Sequence, residues 1–179
     1  MGKKNVSLKK ITEFLEDHHD ETLQKTRHLQ DILIHLQYEG KPSFGKNLKQ
    51  AREVLRFFEH EVSDHMGEEE KILFPFLQAH VPKLEPLISL LCSEHRTFKK
   101  NLGCFKFLLA ELAKSKSDMN RSKIMEKVKE TGNHLTYLLQ SHLEEESEIL
   151  YRAADRELRK DEKRELASKI SCCGTGGGD

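Results

Sequence analysis

Apolar residues recur at alternating steps of three and four along most of this 179-residue chain, and that spacing marks a stripe down one side of an α-helix rather than one face of a strand. Four long segments carry it. The first runs from about Leu8 to Tyr38, with Leu8, Ile11, Leu15, Leu29, Ile32 and Leu36 on the stripe and a Gly40-Lys41-Pro42 turn after it. The second, to about Ala79, reads Leu48, Ala51, Leu55, Phe58, Val62, His65, Glu69, Ile72 and Phe76, with Pro75 expected to kink its last turn. After a Val81-Pro82 break the third shows Leu84, Ile88, Leu91, His95, Phe98, Leu102, Phe105, Leu109 and Leu112. A polar loop from Lys114 to Arg121, with Ser117 or Asp118 as N-cap, leads to the fourth, which carries Ile124, Val128, Leu135, Leu138, His142, Glu146 and Ile149. Stripes this narrow bury best against one another. The expected fold is therefore all-α, an up-down-up-down four-helix bundle over residues 1–155. One domain is expected, and residues 156–179 follow the bundle as a short charged helix, from about Asp155 to Ile170, and a glycine-rich tail expected to be disordered.

Charged residues make up 34% of the chain and hydrophobic ones 36%, a balance that suits long helices with one wet side. Lysine plus arginine equals aspartate plus glutamate, so no net positive field exists to draw nucleic acid or an acidic membrane, and neither partner is expected. No stretch reaches the roughly 20 apolar residues of a membrane span, and Met1 to Lys10 lead into the helical pattern without a signal-peptide core. The expectation is a soluble, cytoplasmic protein. Cys92 and Cys104 fall within one helix and Cys172 and Cys173 are adjacent, which is no disulfide framework, so reduced thiols are expected.

Ten histidines are an excess for one domain, and several stand where a stripe wants a hydrophobic side chain. His65 and Glu69, and again His142 and Glu146, are spaced so that an imidazole and a carboxylate lie side by side on the core face, about 6 Å apart. His95 alone interrupts the third stripe. His18 and His95, His65 and His142, and Glu69 and Glu146 are each 77 residues apart, and Ile72-Leu73-Phe74 recurs as Ile149-Leu150-Tyr151, so the chain reads as a duplicated helical hairpin. Counting from the turns at about 1.5 Å per residue brings all six groups to one level of a bundle, within a turn or two.

A lone histidine on such a stripe is ordinarily a satisfied core residue. Four imidazoles and two carboxylates in one buried layer need a cation, because an ionised carboxylate is too costly to hold unpaired in an apolar core. Mixed imidazole and carboxylate donors suit iron, manganese or zinc better than calcium or magnesium, and two shared carboxylates suit a bridged dinuclear centre, with iron the preferred metal. The expected metal ligands are His18, His65, Glu69, His95, His142 and Glu146, holding two iron ions.

These residues resemble the pattern of the hemerythrin-like family over roughly Leu8 to Asp155: a lone first-helix histidine (His18), His65-x-x-x-Glu69 ahead of Leu73-Phe74-Pro75, a third-helix histidine (His95), and a second pair, His142-x-x-x-Glu146. The resemblance implies a non-haem di-iron protein whose small ligand is dioxygen, nitric oxide or peroxide. Oxygen carriers of the family have another histidine four residues after the third-helix ligand, where this chain has Lys99. The four-histidine, two-glutamate set is more similar to the branch linked to nitric oxide stress and repair of iron centres. Glu61 and Glu94 resemble acidic residues near the metal in that branch.

Three functions stand as alternatives: binding of, and response to, a gas or oxidant; reduction of nitric oxide or peroxide, or donation of iron to damaged iron-sulfur centres; and iron sensing, which would require a separate protein partner. Glu21 or Glu61 could complete an open metal shell. His19, His28, His35, His60, His80 and His134 fall off the shared layer by rotation or height, and the glutamates flanking Glu69 and Glu146 read as solvated faces. A ferritin-like site needs paired Glu-x-x-His motifs, and Glu16-x-x-His19 stands alone.

Overall fold

The computed structural model describes residues 9–38 and 41–173, with side chains from 18 to 38 and from 43 to 170. The expectations for Leu8, Ile11, Leu15, the Gly40-Lys41-Pro42 turn, the Cys172-Cys173 pair and the tail from Gly174 fall outside that description. Among the described residues the regular elements are all helical and there is no strand. Helix α1 is Lys9–Tyr38. The next rod, 41–80, consists of α2 (Lys41–Phe57), α3 (Ser63–Glu68) and α4 (Phe74–His80), joined by π-helical turns at Phe58–Val62 and Glu69–Leu73. A 3-10 turn, Pro82–Leu84, leads into α5, Glu85–Lys114. Helix α6 (Asp118–Glu145) continues through a third π turn, Glu146–Tyr151, into α7 (Arg152–Glu157), and α8 (Lys160–Cys173) follows. Helix α1 packs on α2 and α6, and α5 packs on the same two.

The breaks have local causes. Pro82 disfavours helical backbone at the residue before it, and Val81 sits at φ −134°, ψ 67°. The link between α5 and α6 is shorter than the expected polar loop: α6 already starts at Asp118, and Ser117 stands at its N-cap in extended conformation without a side-chain cap bond. Arg121 closes the turn instead, its Nη2 donating to the Ser115 carbonyl at 2.8 Å.

All nine residues expected on the third stripe are buried, from Leu84 to Leu112. Leu138 apart, the second and fourth stripes follow expectation up to Glu69 and Glu146 and then shift, although Phe76 is buried as expected. Leu73 and Phe74 are buried while Ile72 is only half-buried, and Leu150 and Tyr151 are buried while Ile149 is 52% exposed. The π turns that begin at those two glutamates are the cause, because each inserts an extra residue into one turn and advances the stripe. Pro75 falls in the first turn of α4, directly after a π turn, so the disturbance expected as a kink is taken up by the wider turn. Leu139 is buried where Leu138 was expected, an equally regular choice among steps of three and four.

The core divides into two clusters. One lies among α1, α2, α5 and α6 and includes Leu29, Leu33, Phe58, Met66, Phe98, Phe105 and Leu139. The other includes Leu73, Phe74, Leu77, Ile88, Leu91 and Leu150 and reaches Leu158, Leu166 and Ala167, so α8 packs into this core. Leu158, in extended conformation, makes the break before α8, three residues beyond the expected boundary near Asp155. Between the clusters lies a buried polar layer of His19, Glu69, His95, His142 and Glu146. No helix among the described residues is long and apolar enough to cross a membrane.

Gly132 marks the closest approach of α6 to its neighbours: a Cβ there would sit 2.7 Å from Leu33 Cδ1 and 3.0 Å from Phe105 Cε2, both fully buried side chains. An alanine at an open helical position gains about 1 kcal/mol over glycine, whereas overpacking a filled core costs about 1 to 3 kcal/mol. Gly132→Ala is therefore expected to destabilise the protein, and Gly103→Ala, whose Cβ meets nothing within 4 Å, to stabilise it by up to about 1 kcal/mol. Chemical denaturation in the presence of a chelator, so that metal binding does not contribute, reads both.

Candidate metal centre

Two carboxylates form the middle of the polar layer, each supplied by the residue at which a π turn begins. Glu69 is 2% exposed and Glu146 0%. Each reaches two ways. Glu69 Oε1 lies 3.4 Å from His65 Nε2 while its Oε2 lies 3.6 Å from His95 Nε2. Glu146 Oε1 lies 3.2 Å from His142 Nε2 while its Oε2 lies 3.3 Å from His19 Nε2. The result is two overlapping sets of donor atoms, His19-His65-Glu69-Glu146 and Glu69-His95-His142-Glu146, within each of which the atoms lie within 4.8 Å of one another.

Of the six residues expected as ligands, the structure brings together His65, Glu69, His95, His142 and Glu146. His18 contributes no atom to either set; its ring stacks on His65 at 5.9 Å between centroids, and the adjacent His19 supplies the first-helix imidazole. His19 was expected off the layer and is 4% exposed. The signal that could have found it is the run His19, Thr22, Thr26, Leu29, Leu33 and Leu36, all buried and spaced by threes and fours; an apolar count passes over its two threonines. Thr26 is held there by polar contacts across to α6, where Gln140 Nε2 donates to its hydroxyl at 3.4 Å and Gln30 Nε2 returns a bond to Thr136 at 3.3 Å.

The imidazoles are oriented from behind. His95 Nδ1 donates to Glu70 Oε1 at 2.7 Å and His142 Nδ1 to Glu94 Oε2 at 2.8 Å, which turns both Nε2 atoms inward, 3.1 Å apart. His19 Nδ1 lies 3.0 Å from Ser147 Oγ. Glu70 was read as part of a solvated face and is instead a histidine partner; Lys99, in place of the carriers' extra histidine, pairs with it at 3.5 Å. Glu21 and Glu61 are exposed, as are Glu68 and Glu144. Aromatic rings close the layer: Phe74 stacks on His95 and Tyr151 on His19, and the Tyr151 hydroxyl donates to Glu69 Oε1 at 3.1 Å.

The charges are unevenly held. Burial, with Glu146 close by, raises the Glu69 carboxyl well above the ordinary carboxylate range. Glu146 goes the other way: burial opposes it, but His142 and His19 hold it strongly ionised. Against the same burial, the Glu146, Glu94 and Glu69 carboxylates lift His142 to about 10, whereas burial drops His65 to about 4. Burial and the neighbouring His142 also lower His95. One proton on His142 thus answers one carboxylate, and the compensation is incomplete: His65 Nε2, Glu69 Oε2 and both oxygens of Glu146 are buried without a hydrogen-bond partner. Imidazole nitrogen and carboxylate oxygen, orphaned and converging, are the donor set of a transition-metal site.

The family model for the Hemerythrin HHE cation binding domain matches residues 10–154. Comparison with the curated proteins finds no match.

A metal ion needs His142 deprotonated, and in the metal-free protein that ring stays charged up to about 10. His65, lowered to about 4, is already neutral near pH 7 and has no proton to give. Metal binding at pH 7 is expected to release at least the His142 proton, with Glu69, raised by burial, adding to the release, and affinity to rise as pH rises from neutrality toward 10. Calorimetric titrations in two buffers of different ionisation enthalpy measure the protons released, and a value of zero would contradict this charge distribution.

Proposed function

The chain belongs to the hemerythrin HHE cation-binding family, and from that premise we propose that it is a non-haem di-iron protein that binds and responds to dioxygen, nitric oxide or peroxide. The single observation that carries the proposal is the pair of overlapping donor sets sharing Glu69 and Glu146, with four of the atoms buried and orphaned. We assign the ligands as His19, His65, Glu69, His95, His142 and Glu146, with His19 in the role that the repeat interval gave to His18. The helix order we infer is up-down-up-down, in keeping with the short links 81–84 and 115–117 and the packing of α1 and α5 on the same two helices.

Iron bound here would supply redox chemistry and open coordination positions for a small exogenous ligand. The protein's own part is to hold two imidazoles and two carboxylate oxygens around each position and to keep bulk water out. His65, with a side chain 12% exposed, is the most open of the ligands, and the other five are between 0% and 5%. Burial that deep suits a ligand as small as a diatomic gas or peroxide. Lys99 stands where the oxygen carriers have a further histidine and is tied to Glu70, so that residue adds no imidazole to either position.

Iron loading is expected to give two ions per chain. Glu69→Ala and Glu146→Ala should each lose much of the second ion, and Glu68→Ala and Glu144→Ala little; equal losses in all four would sink the assignment of facing residues. Reduced anaerobically, the centre is expected to accept nitric oxide at both irons and to oxidise on exposure to oxygen. An oxygenated spectrum that persists for hours and reverses under argon would favour stable carriage instead.

A further inference from the structure

The rod 41–80 and the stretch from α6 into α7 are related by the 77-residue repeat, while the imidazoles they back, His95 and His19, stand one residue out of that register; around these two rings the repeat-related residues differ at two positions. Glu70 in one half corresponds to Ser147 in the other, and Phe74 to Tyr151. The scaffold around these positions is nearly the same. His95 is bonded at Nδ1 by Glu70 at 2.7 Å and stacked by Phe74 at 5.6 Å and 25°. His19 is bonded at Nδ1 by Ser147 at 3.0 Å and stacked by Tyr151 at 5.5 Å and 27°. What changes is the chemistry: a carboxylate becomes a hydroxyl, and a phenyl ring becomes a phenol.

We propose that the centre binds its two ions unequally, the His95-His142 position tightly and the His19-His65 position weakly, through these two differences. The proposal rests on the dinuclear reading above. A carboxylate accepting the Nδ1 proton makes an imidazole more basic at Nε2 and a better metal donor, and such partners are typically worth tenfold or more in affinity. Glu70 does this for His95; the neutral Ser147 does not do it for His19. Tyr151 adds to the imbalance from the other side. Its hydroxyl donates to Glu69 Oε1, the oxygen that faces His65, at 3.1 Å, and lies 3.3 Å from His19 Nε2, the nitrogen that would face the ion. Glu69 Oε2, which faces His95, has no such partner. The shared carboxylate therefore offers a free oxygen to one position and an engaged one to the other. The weak position is also where the site opens, at His65, so the ion that exchanges is the one a small ligand meets first.

The test is titration of metal-free protein with cobalt(II), followed by calorimetry and by visible absorption. Two steps separated by about tenfold or more are expected. His95→Ala should abolish the tight step and His19→Ala the weak one. Glu70→Gln should weaken the tight step about tenfold and leave the weak one in place, whereas Ser147→Glu and Tyr151→Phe should each strengthen the weak step and narrow the gap. Circular dichroism of each metal-free variant separates these effects from a failure to fold. Two equal steps, or a Glu70→Gln effect confined to the weak step, would overturn the inequality and leave the dinuclear reading standing. Fewer than two ions bound by the unaltered protein would overturn the dinuclear reading itself.

Discussion

Two glutamates buried at the centre of a helical bundle are the constraint to which the rest of the molecule answers. Each carboxylate taken out of water costs several kcal/mol unless charge and hydrogen bonds are returned to it, and the apolar clusters on either side of the layer return neither. In the metal-free protein the response is partial. His142 keeps a proton and Glu146 its charge, while Glu69 is driven toward its neutral form. A layer so arranged holds its shape only because the helices around it are fixed by the two hydrophobic clusters, which carry the stability that the layer gives up. Buried ionic groups with orphaned atoms do little for stability by themselves, so a ligand is the better explanation for their presence.

The π turns explain how two ordinary amphipathic helices present a carboxylate and an aromatic ring to the same interior. With bonds running from each residue to the fifth along, as from the Phe74 amide to the Glu69 carbonyl, residues five apart approach one face. Glu69 and Phe74, and Glu146 and Tyr151, are such pairs, and all four are buried. In a regular α-helix the ring would point away from the layer. The local widening thus stacks an aromatic ring on a histidine of each half and lets Tyr151 reach Glu69 across the bundle.

Behind the donors lies a further tier of polar residues at the edge of the layer, including Glu70, Glu94 and Ser147. Glu70 and Glu94, partly in contact with water, fix a hydrogen on the outward nitrogen of His95 and His142 and so turn the inward nitrogen to the layer, where that of His142 becomes a donor to metal once its second proton leaves. The Glu70 charge is stabilised there: burial works against it, but its bond to His95 and the nearby Lys99 hold its carboxyl below the usual range. Buried His95 is in this way paired with a partly exposed carboxylate that tolerates ionisation.

The sequence by itself determined the helical class, the positions of the helices, and five of the six residues that converge, because period and i,i+4 spacing act within one helix and are properties of the chain alone. His65 with Glu69 and His142 with Glu146 were legible for that reason, and so was His95 as the sole polar residue on an apolar stripe. What only the tertiary structure decided was everything that depends on rotation between helices. His19 rather than His18 faces the layer because the buried stripe of α1 passes through Thr22 and Thr26, which an apolar count skips. Leu73 and Leu150 replaced Ile72 and Ile149 because a π turn shifts a stripe by one residue and leaves no mark in composition. Glu70 and Ser147 became histidine partners because their neighbours lie on other helices. Pairings across a bundle are set by packing, and the linear code records which residues can meet without recording which ones do.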